Sequence, residues 1–370
     1  MRYTGLCGIV VAAVMLLGTQ EGNAVDKWGL KPGAVDLKSS GPLAFGPDGI
    51  LFVGDPTAAS VVAIATDDAK SGPSKVSINI QGFQEKLAAL LETGADQIRV
   101  ADMAVNPASR NIYMSVTQGP QGQPGKASLV KISIDGKLSK VALDKVNHSK
   151  AELAGAPDAN AKDRRGRSPR AESITDLAFV DGKVFVTGKA AGAAPSKVRE
   201  LAFPFADSEA GTSIEIWHAA HGRMEDDAVV RTFAPLVIDG EPMLLAGFTC
   251  TPLVKFPISG LESGKKVRGT TVAELGNQNQ PLDMIVYTKD GKDFLLMSNT
   301  RRGVMKISTD RIRENAGLTE PVPGGGTAGQ PFETIKELSG VQQLDRLDDE
   351  RAVILAQAGS SLDLKTIELP

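Results

Sequence analysis

Cysteine is nearly absent from this 370-residue chain, which carries only Cys7 and Cys250. Cys7 lies in an apolar N-terminal run. A chain that loses that run keeps one thiol, and no internal disulfide is possible. Aromatic residues make up 5 % of the chain, too few for a stacking platform that grips polysaccharide. Charge of one sign is also missing. The 41 Lys and Arg offset the 44 Asp and Glu to a net −3. Basic residues are dispersed except in "KDRRGRSPR", residues 162–170, which reads as a solvated or protease-sensitive loop. Neither nucleic acid nor anionic lipid is expected as the main partner. The CxxCH haem motif, the GxSxG nucleophile elbow and the HExxH zinc motif are all absent.

Long hydrophobic runs are confined to the start. Arg2 precedes "IVVAAVMLLG" (Ile9 to Gly18), and Gly22-Asn23-Ala24 places small residues at the −3 and −1 positions of a cleavage site. The pattern predicts a signal peptide over residues 1–24 and export to the periplasm or beyond. Cys7 lies inside the run and not at its end, which argues against lipid attachment. No later stretch is long and apolar enough to span a membrane. Residues 25–370 are expected to form a single domain, with long connecting loops at about 81–100, 147–173 and 310–331.

What the chain does have is an internal repeat. Six segments begin at Pro42, Asp102, Asp176, Ala234, Asp283 and Val341. Each reads as a short apolar strand, a tight turn, a second apolar strand, a small-residue loop and a third strand. The turns have a physical cause. Asp48-Gly49, Asp181-Gly182, Asp239-Gly240 and Asp290-Gly291 accept the positive φ angles of a two-residue hairpin. The strands are rich in Val, Ile, Leu and Phe with little alternation, as befits sheets covered on both faces. A fourth strand follows most units, at 75–80, 137–143, 212–217, 268–275 and 332–338. The sixth unit has none left, and "GAVDLK" (33–38) is a spare strand. The expected architecture is all-β: a six-bladed β-propeller of four-stranded blades, its ring closed by the N-terminal strand pairing with the last blade.

The patterns "LAFGPDGILFVGD" and "DLAFVDGKVFVTG" resemble the six-bladed β-propellers of the NHL, SMP-30/gluconolactonase-like and YVTN-type group. The resemblance covers nearly the whole mature chain and implies architecture rather than activity, because this fold hosts lactonases, dehydrogenases and pure binding modules. The complete metal-ligand pattern of the SMP-30-like hydrolases is not found.

Insertions interrupt the blades. "QEKLAALLETG" (84–94) has helical spacing at Leu87, Leu90 and Leu91 and stops at Gly94. Residues 147–173 read as a long mobile loop, and "TEPVPGGGTAGQP" (319–331) as a Gly/Pro linker. A propeller gathers function on its top face, where strand four leads to the next blade and strand two turns into strand three. Blade counting puts His218, His221 and Arg223 on the connection from blade three to blade four. It puts Cys250 on the neighbouring strand two-to-three loop. Asn277 and Asn279 fall on the next connection, and Asn299, Arg301 and Arg302 on the matching loop of blade five. His148 falls on the long connection before blade three.

Several readings stay open. His218, His221 and Cys250 form a His₂Cys set suited to zinc or copper, with Glu225 or Asp226 as fourth ligand or general base. Without a metal, the same residues with Arg223, Arg231, Arg301 and Arg302 suit a small polar or anionic ligand or a protein partner. The plainer alternative has His218 bonded to backbone, His221 solvated and Cys250 as a small filler. Asp102, Asp176 and Asp283 share one register and ring the channel mouth. They suit calcium, or they accept backbone N–H bonds of the inter-blade turns. Function therefore reads as ligand or partner binding on the top face. The alternatives are a metal-dependent hydrolase or oxidoreductase on that face, and a scaffold without a small-molecule site.

Overall fold

The structure is a computed structural model, and it describes residues 27–370 except 124, 164, 165, 207 and 208. The expected signal peptide lies outside the described residues. Among those described, no helix is long and apolar enough to cross a membrane.

The Asp-Gly turns behave as their chemistry requires. Asp48, Asp181, Asp239 and Asp290 take φ of 56°, 47°, 49° and 53°, and the glycines after them are also left-handed. Each turn joins the first two strands of a blade. The six sheets form a ring around a central channel: the chain is a six-bladed β-propeller. The innermost strands are Leu43–Phe45, Ile98–Val105, Asp176–Val180, Val230–Ile238, Pro281–Lys289 and Val341–Arg346. Second strands are buried wholly, as in Ile50–Asp55, or over most of their length, as in Lys292–Asn299, because each packs between two neighbouring sheets. Burying one such aliphatic side chain stabilises by about 1.5–3 kcal/mol.

The blades do not follow one another in chain order. Around the ring, blade two precedes blade one, and blades three to six follow. Two strand exchanges produce this order. Val146–Glu152, which follows blade two in sequence, pairs with Ser60–Ala65 as the outer strand of blade one. Asn79–Ile80, which follows blade one, pairs with Ser361–Glu368 as the outer strand of blade six. In both cases the exchanged strand precedes the inner strand of the next blade in the ring. The closing strand therefore differs from the expected one. The N-terminal strand Lys31–Gly33 lies outside Val146–Glu152 on blade one, and the C-terminal blade is completed from residues 79–80. Ile78 adds to that seam, exchanging bonds with Thr366.

Other expectations are refined. The helix spans Phe83–Leu91 and buries Phe83, Leu87 and Leu91 against blades six and two. The segment 147–173 is not a continuous loop. Its start is the exchanged strand that carries His148, and Pro169–Glu172 forms a 3₁₀ turn. Arg170 donates to the carbonyls of Thr57, Ala58 and Pro157, which ties the end of the insertion to blade one. The segment 319–331 contributes Ala328–Gly329 to the edge of blade four.

Candidate functional site on the top face

Four carboxylates clasp the ring. Asp102, Asp176 and Asp283 each accept the N–H of their own next residue on one oxygen. On the other they accept the N–H of Leu43, Phe233 and Leu344, on the neighbouring inner strands, at 2.6–2.8 Å. Asp345 does the same for Val105, closing blade six on blade two. Sequence reasoning missed Asp345 because it sits two residues deeper in the least regular unit. Burial pushes all four carboxyls up, Asp176 to about 7 and Asp345 to about 6. For Asp102 and Asp283 burial is reinforced by the neighbouring carboxylates. Both oxygens of each Asp serve main-chain donors, as a strand-joining motif requires.

Above the carboxylates the channel opens into a funnel of about 750 Å³, lined by all six blades. Its rim is built by β-bulges. The inner strands of blades two, four, five and six each carry one extra residue, Ala101, Arg231, Leu282 and Gln342, opposite the second strand. All four line the funnel. A bulged residue leaves the ladder and bends the strand, so the rim presents main-chain groups at four points. Arg231 is not free. It donates to Glu172 at 3.0 Å and to Thr249 at 2.8 Å, and Lys189 pairs with Glu172 as well. Burial would raise the Glu172 carboxyl, but these two cations outweigh it and hold it low.

The histidines lie beside the funnel, not in it. Thr212–His218 is the outer strand of blade three, and it turns back through Arg223–Glu225 as a hairpin. His218 is 2 % exposed, and its Nδ1 is 2.6 Å from Glu225 Oε2. His221 is 42 % exposed, and its Nδ1 is 2.8 Å from Glu225 Oε1. Arg223 Nε adds a third contact to the same carboxylate at 2.9 Å. Burial alone would raise the Glu225 pKa, but the bonds from His218, His221 and Arg223 outweigh it and hold it at about 2. One donor atom from each of His218, His221 and Cys250 lies within 4.8 Å of the others. His218 Nε2 is buried and has no hydrogen-bond partner. Asp226 is elsewhere, paired with Lys266.

Cys250 is held by its backbone. Cys250 and Thr251 take φ of 67° and 64° in succession, a left-handed pair that costs about 1–3 kcal/mol per non-glycine residue. The Cys250 N–H donates to Asn279 O at 2.9 Å. Asn279 in turn donates to Asn299 and accepts from the Arg301 N–H. Asn279 and Asn299 thus pin the Cys250 loop to the Arg301 loop. Asn277 borders the 319–331 segment at Gly325, and Arg302 donates to Gly325 O. The same segment reaches the hairpin through the Val322 N–H, which donates to Ala219 O.

Glu274 was not anticipated. It ends the outer strand of blade four, and its Oε2 accepts the Ala220 N–H of the hairpin at 3.2 Å. Its Oε1 is buried without a partner. Burial, with Glu225 nearby, pushes its pKa up to about 7. The only sequence signal was an acid closing the apolar run "TTVAE".

No family model matches the chain, and no curated protein matches it in sequence. Solved structures match over nearly the full length. The PQQ-bound aldose sugar dehydrogenase from Streptomyces coelicolor is 12 % identical, with 91 % of this chain and 98 % of that one covered, at a TM-score of 0.35. Streptogramin B lyase is 10 % identical, with 92 % and 99 % covered, at 0.34. The WD40 β-propeller domain of Doa1 is 8 % identical, with 92 % and 96 % covered, at 0.36. The likeness is one of fold.

Proposed function

We propose that this protein is an exported propeller that holds a zinc or copper ion on its top face and binds a small polar or anionic ligand at the ion's open coordination position. The observation that carries the reading is the buried, unpartnered Nε2 of His218 beside Cys250 and His221. A buried nitrogen left without a bond costs about 1–3 kcal/mol, and a metal removes that cost. Glu225 engages Nδ1 of both histidines, which leaves Nε2 of each as the ligating nitrogen and fixes the rings. It supports the ion without being its fourth ligand. A tetrahedral ion with bonds of about 2.0–2.1 Å to nitrogen and about 2.3 Å to sulfur holds its donors roughly 3.4–3.6 Å apart. One candidate donor atom of each residue already lies within 4.8 Å of the others, and the half-exposed His221 can turn to close the set. Imidazole and thiolate suit zinc or copper rather than calcium. Three protein donors leave a position open, and the exposed Arg223 on the same hairpin would favour an anion there.

One feature favours an enzyme on the same site. The partnerless Glu274 Oε1 near the hairpin would suit a general base for a metal-bound water. The test is elemental analysis of the mature protein, purified without a histidine tag, beside a His218→Ala/His221→Ala variant. About one equivalent of zinc or copper is expected in the parent and none in the variant. Equal metal content in the two proteins contradicts the reading.

A further inference from the structure

We propose that the funnel at the channel mouth is a second site, for a neutral polyhydroxylated molecule of monosaccharide to disaccharide size. Its volume of about 750 Å³ falls within the range of small-molecule pockets. Its rim is unlike the rest of the sheets. Four inner strands bulge in the same register, at Ala101, Arg231, Leu282 and Gln342. Bulges of this kind re-aim backbone and side chain next to binding sites, and here they converge on one cavity.

The chemistry of the lining selects the ligand. Carboxamides and hydroxyls dominate the polar side chains: Gln280, Gln342, Gln343, Gln357, Thr300 and Ser40. Such groups both donate and accept, as a molecule rich in hydroxyls requires. The charges are already matched. Arg231 is held by Glu172, which also takes Lys189 from outside the lining, so Arg231 is not free for an anion. Below them the Asp102 and Asp283 carboxyls meet at the Gln343 amide. With its nitrogen turned toward them, that amide donates at 2.8 and 3.2 Å. A negative ligand would approach these carboxyls at a cost, and a positive one would approach Arg231, the cation of the lining. No aromatic side chain lines the funnel among the described residues, so hydrogen bonds and not ring stacking hold the ligand.

None of His218, His221 and Cys250 lines the funnel. The test therefore uses chelator-treated full-length mature protein, and its outcome is separate from that of the metal site. Calorimetric titration with a panel of aldohexoses, disaccharides and hexitols is expected to give saturable binding by at least one compound. The matched uronic acid and amino sugar should bind at least about tenfold more weakly, a difference of about 1.4 kcal/mol. Gln342 and Gln357 are exposed and bonded to each other at 3.2 Å, so Gln342→Ala/Gln357→Ala should fold normally, checked by circular dichroism. It should weaken the neutral ligand about tenfold or more. The proposal is overturned if no neutral compound binds more tightly than about 10 mM, if a charged analogue binds better, or if the double variant binds as the parent does.

Discussion

Replacing Asp176 with Asn tests the carboxylate clasp through its pH dependence. Asp176 accepts the N–H groups of Leu177 and Phe233 at 2.8 and 2.7 Å and so joins blade three to blade four. Burial pushes its pKa from 3.8 to about 7. The folded protein therefore holds a proton between pH 4 and 7 that the unfolded chain has lost. Its contribution to stability is full below about pH 4 and is lost as pH rises to about 7. Each pH unit is worth about 1.4 kcal/mol, so the loss from pH 5 to pH 7 is about 2–3 kcal/mol. Asn does not titrate. It keeps one acceptor but turns an NH₂ toward the second N–H, which costs about 1–3 kcal/mol at any pH. Urea unfolding of Asp176→Asn and the parent at pH 5, 6, 7 and 8 reads the group together with its coupling to Asp102 and Asp283, whose carboxyls its charge helps to raise; carboxyls away from the channel titrate alike in both. The variant should be clearly less stable at pH 5, and the gap should close by about 2–3 kcal/mol by pH 7. A gap constant within about 0.5 kcal/mol across the series would refute the argument, because Asp176 would then be ionised throughout.

Three further outcomes are expected. Ile78→Ala, in the seam between residues 75–80 and blade six, should cost about 2–4 kcal/mol in urea unfolding, and a loss below 0.5 kcal/mol on that same rough scale would remove the seam from the ring's closure. Limited trypsin digestion should cut at Arg167, whose side chain is 62 % exposed, before Arg170, which is bonded to three carbonyls; the reverse order in peptide mapping contradicts the tie to blade one. Glu225→Gln should leave the fold intact and weaken zinc binding by roughly 10–100-fold in competition titrations, and an unchanged affinity would deny Glu225 its orienting role.

The sequence carried what is local. The Asp-Gly pairs marked the hairpins because two successive left-handed residues need that chemistry. The six apolar units followed from strands covered on both faces. The ring order was not legible, because it depends on which sheet edge a strand joins far along the chain. Val146–Glu152 reads "VNHSKAE" and resembles a loop because an outer strand leaves most of its side chains partly exposed. A strand at 75–80 was legible, but the two residues that pair, 79–80, carry nothing that says which blade they join. Counting blades placed His218, His221 and Cys250 together, since adjacent loops of adjacent blades meet. The shared Glu225 bond, the orphaned Glu274 oxygen and the four bulges depend on side-chain direction and on single-residue register, which no spacing reveals. The register shared by Asp102, Asp176 and Asp283 was visible, and its use in joining strands is what repetition in a structural motif would give.

Cobalt titration of the chelator-treated protein tests the proposed metal centre most directly. Cobalt takes the place of zinc and reports both its ligands and its geometry. With His218, His221 and Cys250 as donors, about one equivalent should produce a strong near-ultraviolet thiolate-to-metal band and the intense visible bands of a four-coordinate ion. Cys250→Gly suits the left-handed backbone at φ 67°. It should keep the fold, lose the thiolate band and bind cobalt far more weakly. A parent protein that gives only the pale spectrum of hydrated cobalt, or a thiolate band that persists in Cys250→Gly, contradicts the account.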